Sequence, residues 1–381
     1  MNMLKNNEYD KLVNLRHYLH KYPELSGKEY YTSDKLIKFI KKYHPDNLIR
    51  NLGGNGFAAV YGNKVESTVM FRADLDALPI EEKVDISFKS AKDGVSHLCG
   101  HDGHMATLAG LSILLNKYKI KNGRVVLLFQ PSEETGQGAK RVLEDPKFKK
   151  IAPDLLYAYH NIPGFKKNKV ILKRGYFSSA SSGMSLKLKG VSSHAAYPEK
   201  GISPVSSLSK LAKRFKKLNS FKQNNYKFIT IVGVNIGGKA FGTSPGNGTV
   251  HATLRAKKNK EFEKLKSEVV RIIEKVSYEE NIEIDISFRE KFKAVKNSDR
   301  AFKILTEGLK GRSIKTVQNS DSFRWSEDFG EYSLKYDSCL FGIGIGEKAK
   351  NLHNPNYYFP DEIMKTGINV YISILEELKL L

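Results

Sequence analysis

From His97 to His104 the chain reads His97-Leu98-Cys99-Gly100-His101-Asp102-Gly103-His104: three imidazoles, a thiol and a carboxylate within eight residues. Few structural needs call for that density of ligand-type side chains, and the glycines allow the backbone to turn tightly there. Cys99 is one of only two cysteines in the protein. Sulfur, nitrogen and oxygen donors together suit Zn, Co, Ni or Mn and argue against Ca or Mg. The segment is therefore read as one wall of a divalent-metal site whose other ligands come from elsewhere in the chain.

Candidates for those ligands stand far apart in sequence. Arg72-Ala73-Asp74-Leu75-Asp76-Ala77-Leu78-Pro79 carries two carboxylates two positions apart. Such a pair can contact a cation and its imidazole ligands together, or can simply end a polar strand. Glu133-Glu134 follows an apolar run and Gln130-Pro131-Ser132; His160 follows the apolar 155–159; His353 stands in Leu352-His353-Asn354-Pro355, after the apolar 340–345. Taken singly, a glutamate pair reads as solvated surface and a lone histidine as a satisfied core residue. Each of these, however, follows a predicted strand, and the C-terminal ends of strands are where open α/β sheets build sites.

The elements that must position them are legible from periodicity. Helices are expected over 10–22, 32–42 and 105–117; the last is apolar almost all round and so buried. Its N-terminus lies at the metal loop, where it favours a thiolate. The run 124–130 is continuously apolar, the pattern of a strand covered on both faces. Residues 180–291 differ, with alternating strands and an amphipathic helix carrying Phe262, Leu265, Val269, Ile272 and Val276. Their β-α-β-β-α-β order is that of a ferredoxin-like unit. The expected fold class is α/β: a catalytic domain with a central mixed, mostly parallel sheet flanked by helices, plus an inserted ferredoxin-like α+β domain. The domains fall at 1–179, 180–291 and 292–381, the first and third forming one body, and a helix over 363–378 closes the chain.

Composition excludes some classes. A chain of 381 residues is too long for one small core, so two domains are expected. The polar stretch 1–9 has no apolar core of a secretory signal, and no apolar run approaches the ~20 residues of a membrane span. Two cysteines form no disulfide framework, so a reducing cytoplasm is expected. The formal net charge is +22, which could serve a nucleic-acid partner. Yet the basic residues are spread along the chain without an arginine-rich arm, so they are read as solvated faces that favour anionic small molecules, and nucleic acid is not the expected partner.

These motifs together resemble the M20 metallopeptidases, specifically the amidohydrolase branch that acts on N-acyl amino acids. The match is carried, in order, by residues 16–25, 72–79 and Cys99-Gly100-His101-Asp102-Gly103-His104-Met105. It continues through Gln130-Pro131-Ser132-Glu133-Glu134, Ser193-His194-Ala195-Ala196-Tyr197-Pro198, Ser326-Glu327-Asp328-Phe329 and Leu352-His353-Asn354-Pro355. The resemblance implies two divalent metal ions held by Cys99, His101, Glu134, His160 and His353, with Glu133 as general base. It implies that the inserted domain is a lid that makes a homodimer, with His194 reaching the partner's site and Arg255 helping to hold substrate. Asp74 and Asp76 would orient a ligand and tune the base. Asp102 and His104 are read as ligand-orienting or helix-capping groups and His17 and His20 as structural; His97 and His251 are left unassigned. Gly242 stands where the family usually has asparagine, and Trp325 where it usually has glycine, which leaves the substrate open. A dipeptidase or aminopeptidase with the same centre, and a non-catalytic metal- or nucleic-acid-binding homologue, are the alternative readings.

Overall fold

The apolar runs of the sequence become the middle of a large sheet. In the computed structural model, which describes residues 4–62, 67–223 and 225–381, the principal strands are β1 (Asn47–Leu52), β2 (Gly56–Tyr61), β3 (Thr68–Asp74), β4 (Arg124–Gln130), β5 (Leu155–Pro163), β6 (Val170–Leu172), β7 (Ala180–Lys189), β8 (Lys227–Ile236), β9 (Asn247–Ala256), β10 (Glu283–Phe292), β11 (Thr316–Gln318) and β12 (Asp337–Gly346). The helices are α1 (Asn6–Lys21), α2 (Tyr30–Ile40), α3 (His101–Lys117), α4 (Gly138–Glu144), α5 (Pro204–Leu218), α6 (Asn259–Glu279), α7 (Asp299–Gly311), α8 (Gly330–Ser333) and α9 (Ile363–Glu377). The chain divides into two units, one of Met1–Phe177, Val295–Ser320 and Asp328–Leu381, the other of Ser178–Ala294 and Asp321–Glu327.

In the first unit eight strands form one mixed sheet in the order β1-β2-β4-β3-β5-β12-β6-β11. The four central strands β4, β3, β5 and β12 run parallel, and antiparallel pairings lie to either side. β2 and β3 are buried at every position, as expected of strands covered on both faces. The helix over the metal loop begins earlier than the apolar pattern indicates. It starts at His101 rather than Met105, with Gly100 as its N-cap at φ +92°. Apolar periodicity cannot register a first turn made of His, Asp, Gly and His. Every residue from His101 to Leu115 is buried, because α3 lies between the sheet and α1, α2 and α9. A Cβ on Gly110 would come within 2.5 Å of Ile368 Cδ1 and 2.7 Å of Leu12 Cδ1, so side chains of α9 and α1 end directly against α3 at this glycine.

The second unit is a four-stranded antiparallel sheet in the order β8-β9-β7-β10, the ferredoxin-like order. Helices α5 and α6 pack on it. Alternation explains the one-sided packing: Leu186 and Leu188 of β7 are buried while Lys187 and Lys189 are exposed. On α6 the buried face is Phe262, Leu265, Val269, Ile273 and Val276. Ile273, not Ile272, faces the core, because the helix advances by four residues twice in succession there. This unit also takes in Asp321–Glu327, a segment that the sequence reading placed with the third part of the chain.

Candidate metal centre

The C-terminal ends of the parallel strands share one edge of the sheet. β3 ends at Asp74, in register with Gln130 at the end of β4, and the chain turns from there into Asp76 and Glu133-Glu134. His160 lies within β5 rather than after it. His353 follows β12 on a turn where its own φ is +65°, and its N–H donates to the Leu98 carbonyl at 2.9 Å. That bond ties the His353 turn to the approach of α3. Helix α3 itself places His101 in its first turn, beside Cys99.

These elements bring the predicted donors together. Cys99, His101 and His160 offer ligand atoms within 4.8 Å of one another, as do Cys99, Glu134 and His353, and His101, Glu133 and Glu134. Cys99 Sγ is 3.5 Å from His160 Nε2. His101 Nε2 is 3.9 Å from carboxylate oxygens of both Glu133 and Glu134, and His353 Nε2 is 3.8 Å from Glu134 Oε1. Cys99 therefore belongs to two adjacent donor groups, with Glu134 and His353 on one side and His101 and His160 on the other.

Hydrogen bonds fix which nitrogen each buried imidazole presents. His101 Nδ1 lies 2.9 Å from the Asp76 carbonyl, and His160 Nδ1 lies 3.0 Å from the Asn161 carbonyl. A carbonyl only accepts, so both Nδ1 atoms carry the proton and both Nε2 atoms turn a lone pair to the donor groups. His101 Nε2 is buried and has no hydrogen-bond partner. An unsatisfied buried polar atom costs about 1–3 kcal/mol, and coordination of a cation relieves it. The donor chemistry and this orphaned nitrogen fit a divalent metal.

Asp76 organises the carboxylate side. Its carbonyl holds His101, while its carboxylate accepts the backbone N–H of Glu133 at 3.1 Å and of Glu134 at 3.0 Å. Ser26 Oγ donates to the same carboxylate at 2.6 Å. Glu133 is 5% exposed, and its Oε1 accepts the Asp328 N–H at 3.3 Å. Asp74 sits deeper. Arg72 Nη1 donates to it at 2.7 Å, and the same guanidinium reaches Asp328 and Gln130. Asp74 also shares a donor cluster with His101 and His104. The two aspartates thus have separate surroundings: Asp76 braces the glutamates, and Asp74 joins an arginine-centred network beneath the histidines.

Around the donors lie supporting groups, of which sequence reasoning names Asp102 and His20 but does not single out Arg16, Glu82, Asp328, Asn161 or Tyr357. Arg16 and His20 of α1 both donate to the Asp102 carboxylate, at 2.8 and 2.9 Å, and His20 also donates to Glu82 at 2.9 Å. Asp102 accordingly holds α1 against α3 rather than capping α3, which has no side-chain cap bond. Burial alone would neutralise His20, but Asp102 and Glu82 push its pKa up to about 9. For Asp102, burial works against ionisation and is overridden by His20 and Arg16, which hold it well below the usual carboxylate range. Asn161 and Tyr357 form a further buried pair, with Asn161 Nδ2 donating to Tyr357 Oη at 2.6 Å. Arg16 and Asp328 fall inside the quoted motifs; Asn161 and Tyr357 have no signal beyond adjacency to His160 and His353.

His194 and Arg255 belong to the second unit. His194 is exposed, and its Nδ1 accepts the Ala196 N–H at 3.0 Å, which puts the neutral ring's proton on the outward Nε2. Arg255 Nη1 donates to the Arg324 carbonyl at 3.0 Å and to Ser326 Oγ at 3.1 Å. Gly242, in the loop that departs from the family pattern, accepts the Ala195 N–H at 2.9 Å, so that loop braces the His194 turn through its backbone.

Known proteins share this architecture. The chain is 29% identical to a hippurate hydrolase of Campylobacter jejuni, over 96% of this chain and 95% of that protein. It is 26% identical to an N-acetyldiaminopimelate deacetylase of Bacillus velezensis, over 96% of this chain and 98% of that one. A Bacillus subtilis structure described as a dinuclear metal binding peptidase superposes with a TM-score of 0.81 at 22% identity, covering 99% of each chain. The model of the peptidase family M20/M25/M40 matches residues 70–377. With that match running through both units and past both glutamates to His353, the chain belongs to the M20/M25/M40 peptidase family and is a hydrolase of amide or peptide bonds.

Proposed function

We propose that the protein releases an amino acid from an N-acyl group, an N-acetyl group being the simplest case, by metal-assisted hydrolysis of the amide. The observation that carries this reading is the convergence of Cys99, His101, Glu134, His160 and His353 with Glu133 beside them. Those five residues would hold two divalent ions, of Zn, Mn, Co or Ni, as their mixed donors suit. Such ions polarise a carbonyl and bring the pKa of water down toward ~7. Glu133 takes the proton of the attacking water and hands it to the leaving amine nitrogen. Asp76 keeps Glu133 and Glu134 in register by holding both backbone N–H groups, and Asp74 orients the histidines from beneath.

In this reading His194 donates its Nε2 proton to the developing oxyanion, acting from a partner copy, and Arg255 pairs with the substrate carboxylate. The homodimer forms through the second unit, where Val232 and Val234 of the edge strand β8 are 63% and 48% exposed. No described helix is long and apolar enough to cross a membrane, and a thiol ligand favours a reducing compartment, for which we propose the cytoplasm. The C. jejuni and B. velezensis relatives, by their names, act on N-acylated compounds, which supports this substrate class over free dipeptides. Metal analysis of the purified protein followed by a panel of N-acyl amino acids and free dipeptides tests it. Turnover of dipeptides alone would replace the reading with a dipeptidase; chelation that leaves turnover unchanged would end it.

A further inference from the structure

One buried asparagine touches three of the segments that carry donors. Asn161 is fully buried. Its backbone carbonyl accepts His160 Nδ1 at 3.0 Å, its Oδ1 accepts His104 Nε2 at 2.6 Å, and its Nδ2 donates to Tyr357 Oη at 2.6 Å. His104 is three residues beyond His101 on α3, and its ring lies 4.8 Å from that of His160. Tyr357 is four residues beyond His353 and is itself 1% exposed. Between Cys99 and His101, Gly100 presses directly on the pair: a Cβ there would lie 2.6 Å from Asn161 Oδ1 and 2.7 Å from Tyr357 Oη.

We infer that Asn161 is a positioning residue for the metal centre, locking the Cys99–His101 turn, the His160 strand and the His353 turn into one arrangement, its side-chain amide joining α3 to the His353 turn and its backbone carbonyl holding His160. The inference rests on the ligand set proposed above. Its two side-chain contacts reach different segments, α3 and the turn after His353. Because Oδ1 accepts from His104 Nε2, the amide fixes the orientation of that ring beside His160. Asp76 braces the glutamates and His101, and Asn161 braces His160 and the turn that carries Cys99. Gly100 is required because this bracing passes through the space a side chain would fill, at a φ of +92° that L-residues rarely adopt.

The test is Co2+ binding to the purified full chain, read as the thiolate-to-cobalt absorption band and as affinity against a competing chelator, alongside urea unfolding. Asn161→Ala keeps the backbone carbonyl that His160 uses and removes only the amide. It is expected to lower Co2+ affinity about 10–100-fold, the usual range for groups that orient ligands, and to shift the absorption band, while still unfolding cooperatively. Tyr357→Phe is expected to give a smaller loss in the same direction. The double variant should lose no more than Asn161→Ala alone, because the two side chains act through one hydrogen bond. Wild-type affinity and an unshifted band in folded Asn161→Ala overturn the inference. If that variant does not fold, the same result in Tyr357→Phe overturns it. Wild-type protein that takes up no Co2+, or Cys99→Ser that keeps the sulfur band, overturns the ligand set instead and is distinguishable from either.

Discussion

Glu133 accepts the Asp328 N–H and stands 3.9 Å from His101 Nε2, close to the donors while Glu134 reaches His353. Glu133→Gln keeps the shape and removes the proposed base. It should lower kcat about 10²–10⁴-fold with metal content unchanged, measured by steady-state hydrolysis and elemental analysis on the same preparation. Equal activity in that variant would return the proton transfer to another group. Asp76 has a different task. Asp76→Ala strips the acceptor from two backbone N–H groups and from Ser26. Hydrogen bonds to charged groups are each worth about 1.5–3 kcal/mol, so this variant should lose several kcal/mol of stability in urea and bind metal more weakly. Glu133→Gln should do neither, and the contrast separates brace from base.

Among the elements, α3 carries the most constraint, being buried along 15 residues and supplying His101 from its first turn. Gly110 tests how tightly it is held. The atoms nearest a new Cβ are the far ends of Ile368 and Leu12 side chains, which can rotate away. Helix propensity favours alanine over glycine by about 1 kcal/mol. Gly110→Ala should therefore be near neutral, whereas Gly110→Val, with two further methyls in the same space, should destabilise by about 1–3 kcal/mol. Equal midpoints for both variants in chemical denaturation would show α1 and α9 to be less closely packed on α3 than their positions indicate.

At the scale of the molecule, the Arg16–Asp102–His20–Glu82 network couples stability to pH. His20 has a folded pKa of about 9, raised above the ordinary ~6.5 of an unfolded histidine. A raised histidine stabilises fully below ~6.5 and loses that contribution as pH rises through the folded value. Wild-type stability should accordingly fall between pH 6.5 and 9, by an amount of order 3 kcal/mol, and His20→Gln should flatten that slope; identical profiles for the two proteins would remove His20 as its source. The sequence alone determines that apolar strands alternate with helices, that a ferredoxin-like run interrupts them, and that Cys99, His101, Glu133, Glu134, His160 and His353 sit where chemistry collects. Periodicity and residue type are local properties, and each of those side chains stands in a recognisable motif before, within or after an apolar run. Only the tertiary structure decides which groups hold them. Asn161 meets Tyr357 across 196 positions and Arg72 meets Asp328 across 256. Those meetings follow from the strand order β4-β3-β5-β12 and from the path of α3 between sheet and helices. No local pattern encodes the partner of a buried hydrogen bond, because its energy is settled only when both groups have left water together.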